Sequence, residues 1–393
     1  MAFAPLLVVW TLSVGSTIVA LAPPARAGTA RAPRPPPSPV FVLLFDELDP
    51  AIFMRGGRVG GEWPAFRRIT EMSVAFTDAT ANYGNTCPSV AALLTGRLLP
   101  ELPPIGNQCL ERVTDLRTNN VLSDLSGEYE VRVYGQYLQY CFDARFRCHG
   151  TAHFQAIRPS LPLLQHWLPN PLRAALGVVG AVGYSEHTYA LPLFEHFLAD
   201  IDAATAPGRV YYLHLVLPHG PYVFDETGRL HAPAHGGEWR DEREHAEVLR
   251  DYVRQARFVD RLLGRFLDRL DAAGLTGRSV IVVTSDHGFR SYEPFGPPRF
   301  VDGIEVNNAR QRVPLTLHVP GIAPARVSGY QHVDFRRILM AALRGDGAAL
   351  VRDPGRGFGG RRFCWEGVWY AEDGGGRWAR RGAGPPDGCR TTS

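Results

Sequence analysis

Three short runs of this chain are made almost wholly of apolar, strand-favouring side chains, and each stops abruptly at polar residues. Val40-Phe41-Val42-Leu43-Leu44-Phe45 ends at Asp46-Glu47. Val210 to Leu217 ends at Pro218-His219-Gly220-Pro221-Tyr222. Ser279-Val280-Ile281-Val282-Val283-Thr284 ends at Ser285-Asp286-His287-Gly288. A strand with one wet face alternates apolar and polar residues, whereas a run apolar at every position is buried on both faces. That requires a largely parallel sheet covered by helices. The stretch His245 to Gly274 supplies such a helix: Val248, Leu249, Tyr252, Val253, Ala256, Val259, Leu262, Leu263, Phe266, Leu267 and Leu270 repeat with the helical period. Strand–helix alternation predicts an α/β fold, a mostly parallel central sheet with helices on both faces. Open sheets of this kind place their sites beyond the carboxyl ends of the strands. Asp46, Glu47, Asp286 and His287 are therefore delivered to a functional edge. His214, inside its run, reads as structural.

The remaining pattern is coarser. Pro64 to Ala75, Asn119 to Leu125 and Tyr189 to Ala203 read as helices. Val131-Arg132-Val133-Tyr134, Val313 to Gly321 and Phe363 to Tyr370 read as strands. The apolar, Pro-punctuated Leu161 to Ala181 has no assigned role. At 393 residues the chain is long enough for one large α/β domain. Its predicted organisation is an apolar leader over 1–27, a Pro-rich linker over 28–39, the α/β domain over 40–346 and a Gly/Arg-rich segment over 347–393. The leader, apolar from Phe3 to Ala22 and followed by Ala25-Arg26-Ala27, reads as a cleaved signal peptide or a retained membrane anchor. Either places the domain outside the cytoplasm.

Asn85-Thr86-Cys87-Pro88-Ser89-Val90-Ala91-Ala92-Leu93-Leu94-Thr95-Gly96 reads as a loop turning into a short helix. Pro88 suits the first turn, Ala91 to Leu94 favour helix, and Gly96 is a C-terminal stop. Thr86 sits where backbone N–H groups and the positive end of the helix dipole converge. A lone Thr there is ordinarily a cap. A cation nearby makes its hydroxyl a nucleophile instead.

These motifs resemble those of sulfatases and, more widely, the alkaline phosphatase superfamily. Sulfatases carry Cys/Ser-x-Pro-Ser-Arg followed by Leu-Thr-Gly; Thr86-Cys87-Pro88-Ser89-Val90 with Leu94-Thr95-Gly96 matches, with Thr86 at the nucleophile position. Asp46-Glu47 and Asp286-His287 resemble the two metal-binding strand ends. Pro218-His219-Gly220-Pro221-Tyr222 resembles the Pro-His-x-Pro-Tyr segment of sulfatase-like enzymes and lipoteichoic acid synthases. The resemblance spans roughly Val40 to Leu343. It implies an alkaline phosphatase-like fold, Thr86 and His219 as catalytic residues, and Asp46, Glu47, Thr86, Asp286 and His287 as metal ligands. Mixed oxygen and imidazole donors suit Zn²⁺, Mn²⁺, Mg²⁺ or Ca²⁺. His332 is a candidate further ligand, read more readily as structural.

The departures from the sulfatase pattern set the expected chemistry. Thr86 cannot become formylglycine, Cys87 is one residue out of register, and Val90 replaces the Arg that supports the aldehyde. A Thr nucleophile resembles that of lipoteichoic acid synthases and phosphoethanolamine transferases. The expectation is therefore a metal-dependent hydrolase or transferase of phosphate esters, with sulfate-ester hydrolysis as alternative and a non-catalytic, membrane-associated assembly factor as a second. Substrates are small-molecule, lipid-linked or glycan esters, and the N-terminal segment implies membrane association. A net charge of +3 gives no electrostatic case for nucleic acid. Of the six cysteines, Cys141 and Cys148 bracket a short loop and Cys364 and Cys389 the C-terminal segment; both pairs are candidate disulfides in an oxidising compartment.

Overall fold

The first apolar run forms the middle of the sheet. Strand β1, Val40–Asp46, is buried at every position. It is flanked in parallel by β7, Arg209–Pro218, and by β8, Val280–Ser285. The computed structural model describes residues 37–99, 110, 113, 116–150, 185–231, 242–289, 299–301, 304–306, 311–347, 350, 361–365, 368–372 and 378–383. Beyond β7 the parallel sheet continues through β5, Glu130–Gly135, to β6, Arg147–His149. Beyond β8, β11, Leu315–His318, runs antiparallel; β4, Val74–Phe76, runs antiparallel to β11, and β12, Ala325–Val327, is parallel to β4. The eight-stranded order is β12-β4-β11-β8-β1-β7-β5-β6; outside it, β2, Met54–Arg55, pairs with β3, Arg58–Val59, and β9, Arg299–Val301, pairs with β10, Ile304–Val306.

Residue parity along β1 divides the interior into two cores. Phe41, Leu43 and Phe45 face one core, packed under helices α1, Pro64–Glu71, α4, Ser185–Ala199, and α5, Glu242–Ala272. Val40, Val42 and Leu44 face the other, under α2, Thr86–Thr95, α3, Val121–Leu125, and α6, Phe335–Leu343. Full burial of each such side chain contributes roughly 1.5–3 kcal/mol, so a polar substitution anywhere in β1 would cost the fold dearly. Asp46 shares the parity of Leu44. It therefore emerges on the face that carries α2.

Long-range polar contacts fix the helices in place. Asp260 of α5 is buried and accepts the N–H groups of Ala65 (3.4 Å) and Phe66 (2.8 Å). It caps the first turn of α1, whose own N-cap residue, Trp63, supplies no side-chain bond. Asn120 caps α3 by accepting from the Ser123 N–H at 2.9 Å.

The expected elements form, with adjustments. The helix expected to run to Ala75 stops at Glu71, and Val74–Phe76 is a strand, because its three buried side chains fill a slot between β11 and β12. The helix expected to start at Tyr189 begins at Ser185 and carries Pro192 inside it. The single terminal strand expected over Phe363 to Tyr370 is instead divided between the first two strands of a three-stranded antiparallel sheet, β13, Arg362–Trp365, β14, Val368–Glu372, and β15, Trp378–Ala383. Cys141 and Cys148 form the expected disulfide, with Cα atoms 6.1 Å apart. Cys364 is disulfide-bonded, as is Cys87. Cys389, the apolar leader, most of the linker and Leu161 to Ala181 lie outside the described residues. Among the described residues no helix is long and apolar enough to cross a membrane.

Candidate active site

The carboxyl ends of the parallel neighbours β1, β7 and β8 meet at one edge. Asp286, the first residue past β8, is fully buried. Its Oδ1 accepts the N–H groups of Glu47 (2.9 Å) and His287 (2.7 Å). Its Oδ2 has no hydrogen-bond partner among the described residues. Burial alone would raise its pKa, but the neighbouring imidazoles of His287 and His214 and these two donors hold the carboxyl below its ordinary range. The site thus keeps a buried carboxylate ionised with one oxygen uncommitted.

His287 faces that oxygen. Its Nδ1 lies 2.8 Å from the Gly288 carbonyl, which can only accept, so Nδ1 carries the proton. Nε2 therefore presents its lone pair. It stands 3.5 Å from Asp286 Oδ2, 3.9 Å from Asp46 Oδ1 and 3.5 Å from the Thr86 hydroxyl. Thr86 is the first residue of α2; Asn85 holds the N-cap position and makes no side-chain cap bond. The Thr86 hydroxyl is directed at the His287 ring and does not close the helix end. Gly96, with φ of 69°, terminates α2 in the left-handed conformation that favours glycine.

Glu47 is buried, and its φ of 65° is unusual for a residue with a side chain. The turn is held from below. The Tyr252 hydroxyl donates to the Glu47 carbonyl and accepts the Asp49 N–H, both at 2.9 Å, while the Leu48 N–H donates to Ser285 Oγ at 2.8 Å.

The structure adds a residue that the sequence reading left as structural. A ligating nitrogen of His214 and a carboxylate oxygen each of Asp46 and Asp286 lie within 4.8 Å of one another, all buried. His214 sits opposite Leu44 in the register of β1 and β7, on the Asp46 face. The signal was available in the residue parity of β7, which aligns His214 with Val210 and Tyr212. Burial pushes its pKa down to about 4. Glu47 reaches the cluster through its backbone; its carboxylate is not in this convergent group.

His219 follows Pro218, which is level with Asp46 in the sheet register. It lies at the same edge, half-buried, with its ring 6.1 Å from that of His187. Gln255 of α5 secures the turn by donating to the carbonyls of Pro218 (3.1 Å) and His219 (3.0 Å) and accepting the Phe224 N–H (3.0 Å). His332 stands behind the site: its Nε2 donates to the Ser285 carbonyl at 3.0 Å, supporting the end of β8. Val90, a residue of α2, is fully buried in the core, so its position brings no charge to the site.

The donor set fits a divalent cation. The carboxylates of Asp46 and Asp286 and two imidazoles converge at spacings too long for hydrogen bonds among themselves, and the Asp286 Oδ2 atom is buried without one. Like charges held this close in a dry site require a counter-charge.

The sulfatase family model matches residues 55–345, a span that includes Thr86, His219, Asp286 and His287 and begins after Asp46 and Glu47. No curated protein matches the chain. Among solved structures, the phosphonate monoester hydrolase SpPMH from Silicibacter pomeroyi is 17% identical, with 85% of this chain and 79% of that one covered and a TM-score of 0.54. Ps i-CgsB is 14% identical, with 86% and 82% covered and a TM-score of 0.52. At these identities the likeness is one of fold.

Proposed function

The chain belongs to the sulfatase family, with the α/β fold of the alkaline phosphatase superfamily, and we propose that it is a metal-dependent hydrolase or transferase of phosphate esters using Thr86 as nucleophile. The observation that carries this reading is the Thr86 hydroxyl, 3.5 Å from the lone pair of His287 Nε2, which in turn faces the buried carboxylates of Asp46 and Asp286. Asp46, Asp286, His287 and the Thr86 hydroxyl would hold the ion, with Glu47 shaping the turn beneath. A divalent ion there supplies Lewis-acid stabilisation of the transferring group and lowers the pKa of a bound hydroxyl.

The chain's own residues do the rest. Asn85 makes no side-chain cap bond at the start of α2; Pro88 has no N–H and the Ser89 N–H donates to the Asn85 carbonyl, so we assign the Thr86 N–H to an oxygen of the transferring phosphoryl group. Thr86 Oγ1 forms a bond to phosphorus as the bond to the leaving oxygen breaks, and the Thr86 proton leaves with the departing alcohol. His219, at the neighbouring strand end, would hold or donate a proton on the leaving side. Water, or an acceptor alcohol, then forms a bond to phosphorus as the bond to Thr86 Oγ1 breaks, and the acceptor's proton passes to Thr86 Oγ1, restoring the hydroxyl. Phosphoryl transfer needs little beyond positioning and charge stabilisation, which such an edge offers.

Sulfate esters are the less favoured substrate. Threonine cannot mature to an aldehyde, and the position where sulfatases carry a supporting Arg holds the buried Val90. We read the apolar leader as carrying the domain out of the cytoplasm, a setting that suits the Cys141–Cys148 disulfide. The test is a screen of phosphomonoester, phosphodiester and sulfate-ester substrates with added divalent metals, joined to mass spectrometry of the trapped enzyme. Phosphoester turnover with a phosphoryl adduct on Thr86 is expected. Sulfate-ester turnover alone, or an adduct on Cys87 or Ser89, would overturn the reading.

A further inference from the structure

We infer that His214 is a further nitrogen ligand of the metal centre, held in its ligating tautomer by Tyr140, and that it shifts the site's preference towards zinc and away from calcium and magnesium. The inference rests on the metal-dependent reading above and adds to it a residue and a metal class.

The geometry is specific. His214 Nδ1 lies 2.5 Å from the Tyr140 hydroxyl, and both residues are fully or almost fully buried. Nε2 is buried with no hydrogen-bond partner among the described residues, although the carboxylates of Asp46 and Asp286 are its neighbours. A protonated Nε2 would close on one of those oxygens to hydrogen-bond distance, and it does not. With Nδ1–H donating to the Tyr140 oxygen, Nε2 instead turns a lone pair towards two carboxylates. That arrangement is repulsive unless a cation lies between them. The three donor atoms lie within 4.8 Å of one another, slightly wider than the spacings around a bound ion. Donors about 2.1 Å from one ion stand roughly 3.4 Å apart in a tetrahedral site and up to about 4.2 Å apart across an octahedral one.

Tyr140 is built into its place. Gly135 is the β5 residue level with His214, and a Cβ there would come within 2.7 Å of the Tyr140 ring. The missing side chain lets the ring lie over the strand, its edge against Tyr212 with centroids 5.3 Å apart, and brings its hydroxyl to His214. A partner on the far nitrogen that fixes ring orientation and tautomer is the usual support of a ligating histidine. Imidazole donors favour zinc and similar first-row ions, whereas calcium and magnesium take oxygens. A second imidazole beside His287 therefore moves the balance towards zinc.

The full chain, stripped with a chelator, is titrated with Zn²⁺, Ca²⁺ and Mg²⁺ against a chromophoric competitor, and its Co²⁺ form is examined by visible absorption. The wild type should prefer zinc. His214→Leu should weaken zinc at least about 100-fold, change the Co²⁺ bands and affect calcium far less. Tyr140→Phe, a change at a positioning residue, should weaken zinc about 10- to 100-fold. Asp286→Asn reports on the centre as a whole. If Asp286→Asn abolishes binding while His214→Leu keeps wild-type zinc affinity and Co²⁺ bands, His214 is not a ligand and the metal-dependent reading stands without it. If the wild type binds no divalent ion, both fall. Should His214→Leu fail to fold, Tyr140→Phe decides: unchanged zinc affinity and Co²⁺ bands overturn the inference.

Discussion

Tyr252 and Glu47 meet across the edge of the sheet: the phenol of a helix residue donates to the carbonyl of a residue held at positive φ and accepts the N–H of Asp49, each at 2.9 Å. One hydroxyl thus fixes the turn that carries Asp46 out of β1. Tyr252→Phe keeps the ring packing against Tyr222 and Phe289 but leaves a buried N–H and C=O without this partner. Urea unfolding should show a loss of about 1–3 kcal/mol. Divalent-metal affinity should fall as the turn relaxes. Unchanged values of both would show that the turn is held by other contacts.

Thr86→Ala removes the proposed nucleophile while costing the helix little, because Thr86 is inside α2 and caps nothing. Turnover should drop at least 10³-fold, about 4 kcal/mol of transition-state stabilisation, with stability within about 1 kcal/mol of wild type. Thr86→Ser should retain measurable activity, since the hydroxyl persists. The pair is read by steady-state kinetics beside urea melts. An alanine variant with wild-type kcat would remove Thr86 from the mechanism.

The Cys141–Cys148 bond closes a short loop and ties β6, the edge strand, to the turn after β5. Loop-closure entropy for so short a ring gives about 2–3 kcal/mol. Cys148→Ser should lower stability by about that amount. Peptide mapping of the protein without reductant should recover the two cysteines linked.

Much of this arrangement was legible in the sequence because burial on both faces of a strand leaves an unambiguous apolar run. Val40 to Phe45 and Val280 to Thr284 place Asp46 and Asp286 at strand ends without further knowledge. The α5 stripe was equally plain: its residues from Val248 to Leu270 are buried as the period requires. What stayed hidden depends on pairing. Val74–Phe76 looked like the tail of a helix because three residues carry no period, and only the slot between β11 and β12 makes them a strand. His214 read as a core histidine because nothing local says that Leu44 is its neighbour across the sheet. Tyr252 belonged to the apolar face of α5 and Gln255 carried no assigned role, and their polar atoms find partners more than 30 residues away.

His332 gives the last prediction, because its burial makes stability depend on pH. The ring is fully buried, its Nε2–H is used on the Ser285 carbonyl, and burial pushes its pKa from 6.5 down to about 4. In the unfolded chain the ring takes up a proton near its ordinary value; in the folded protein it does so only near pH 4. Between the two the unfolded state binds more protons, so stability rises with pH across that window. The contribution is fully present above about pH 6.5 and is lost as pH falls towards 4, in total about 3 kcal/mol. His214 acts in the same direction, so the measurement is made by difference. His332→Gln keeps an N–H donor for the Ser285 carbonyl but cannot titrate. Urea unfolding at half-unit steps from pH 7.5 to 4, at fixed metal concentration, should show a shallower pH slope for the variant than for wild type below about pH 6.5. Parallel curves would mean that the folded protein protonates His332 as readily as the unfolded chain does, and that its ring is not held neutral behind β8.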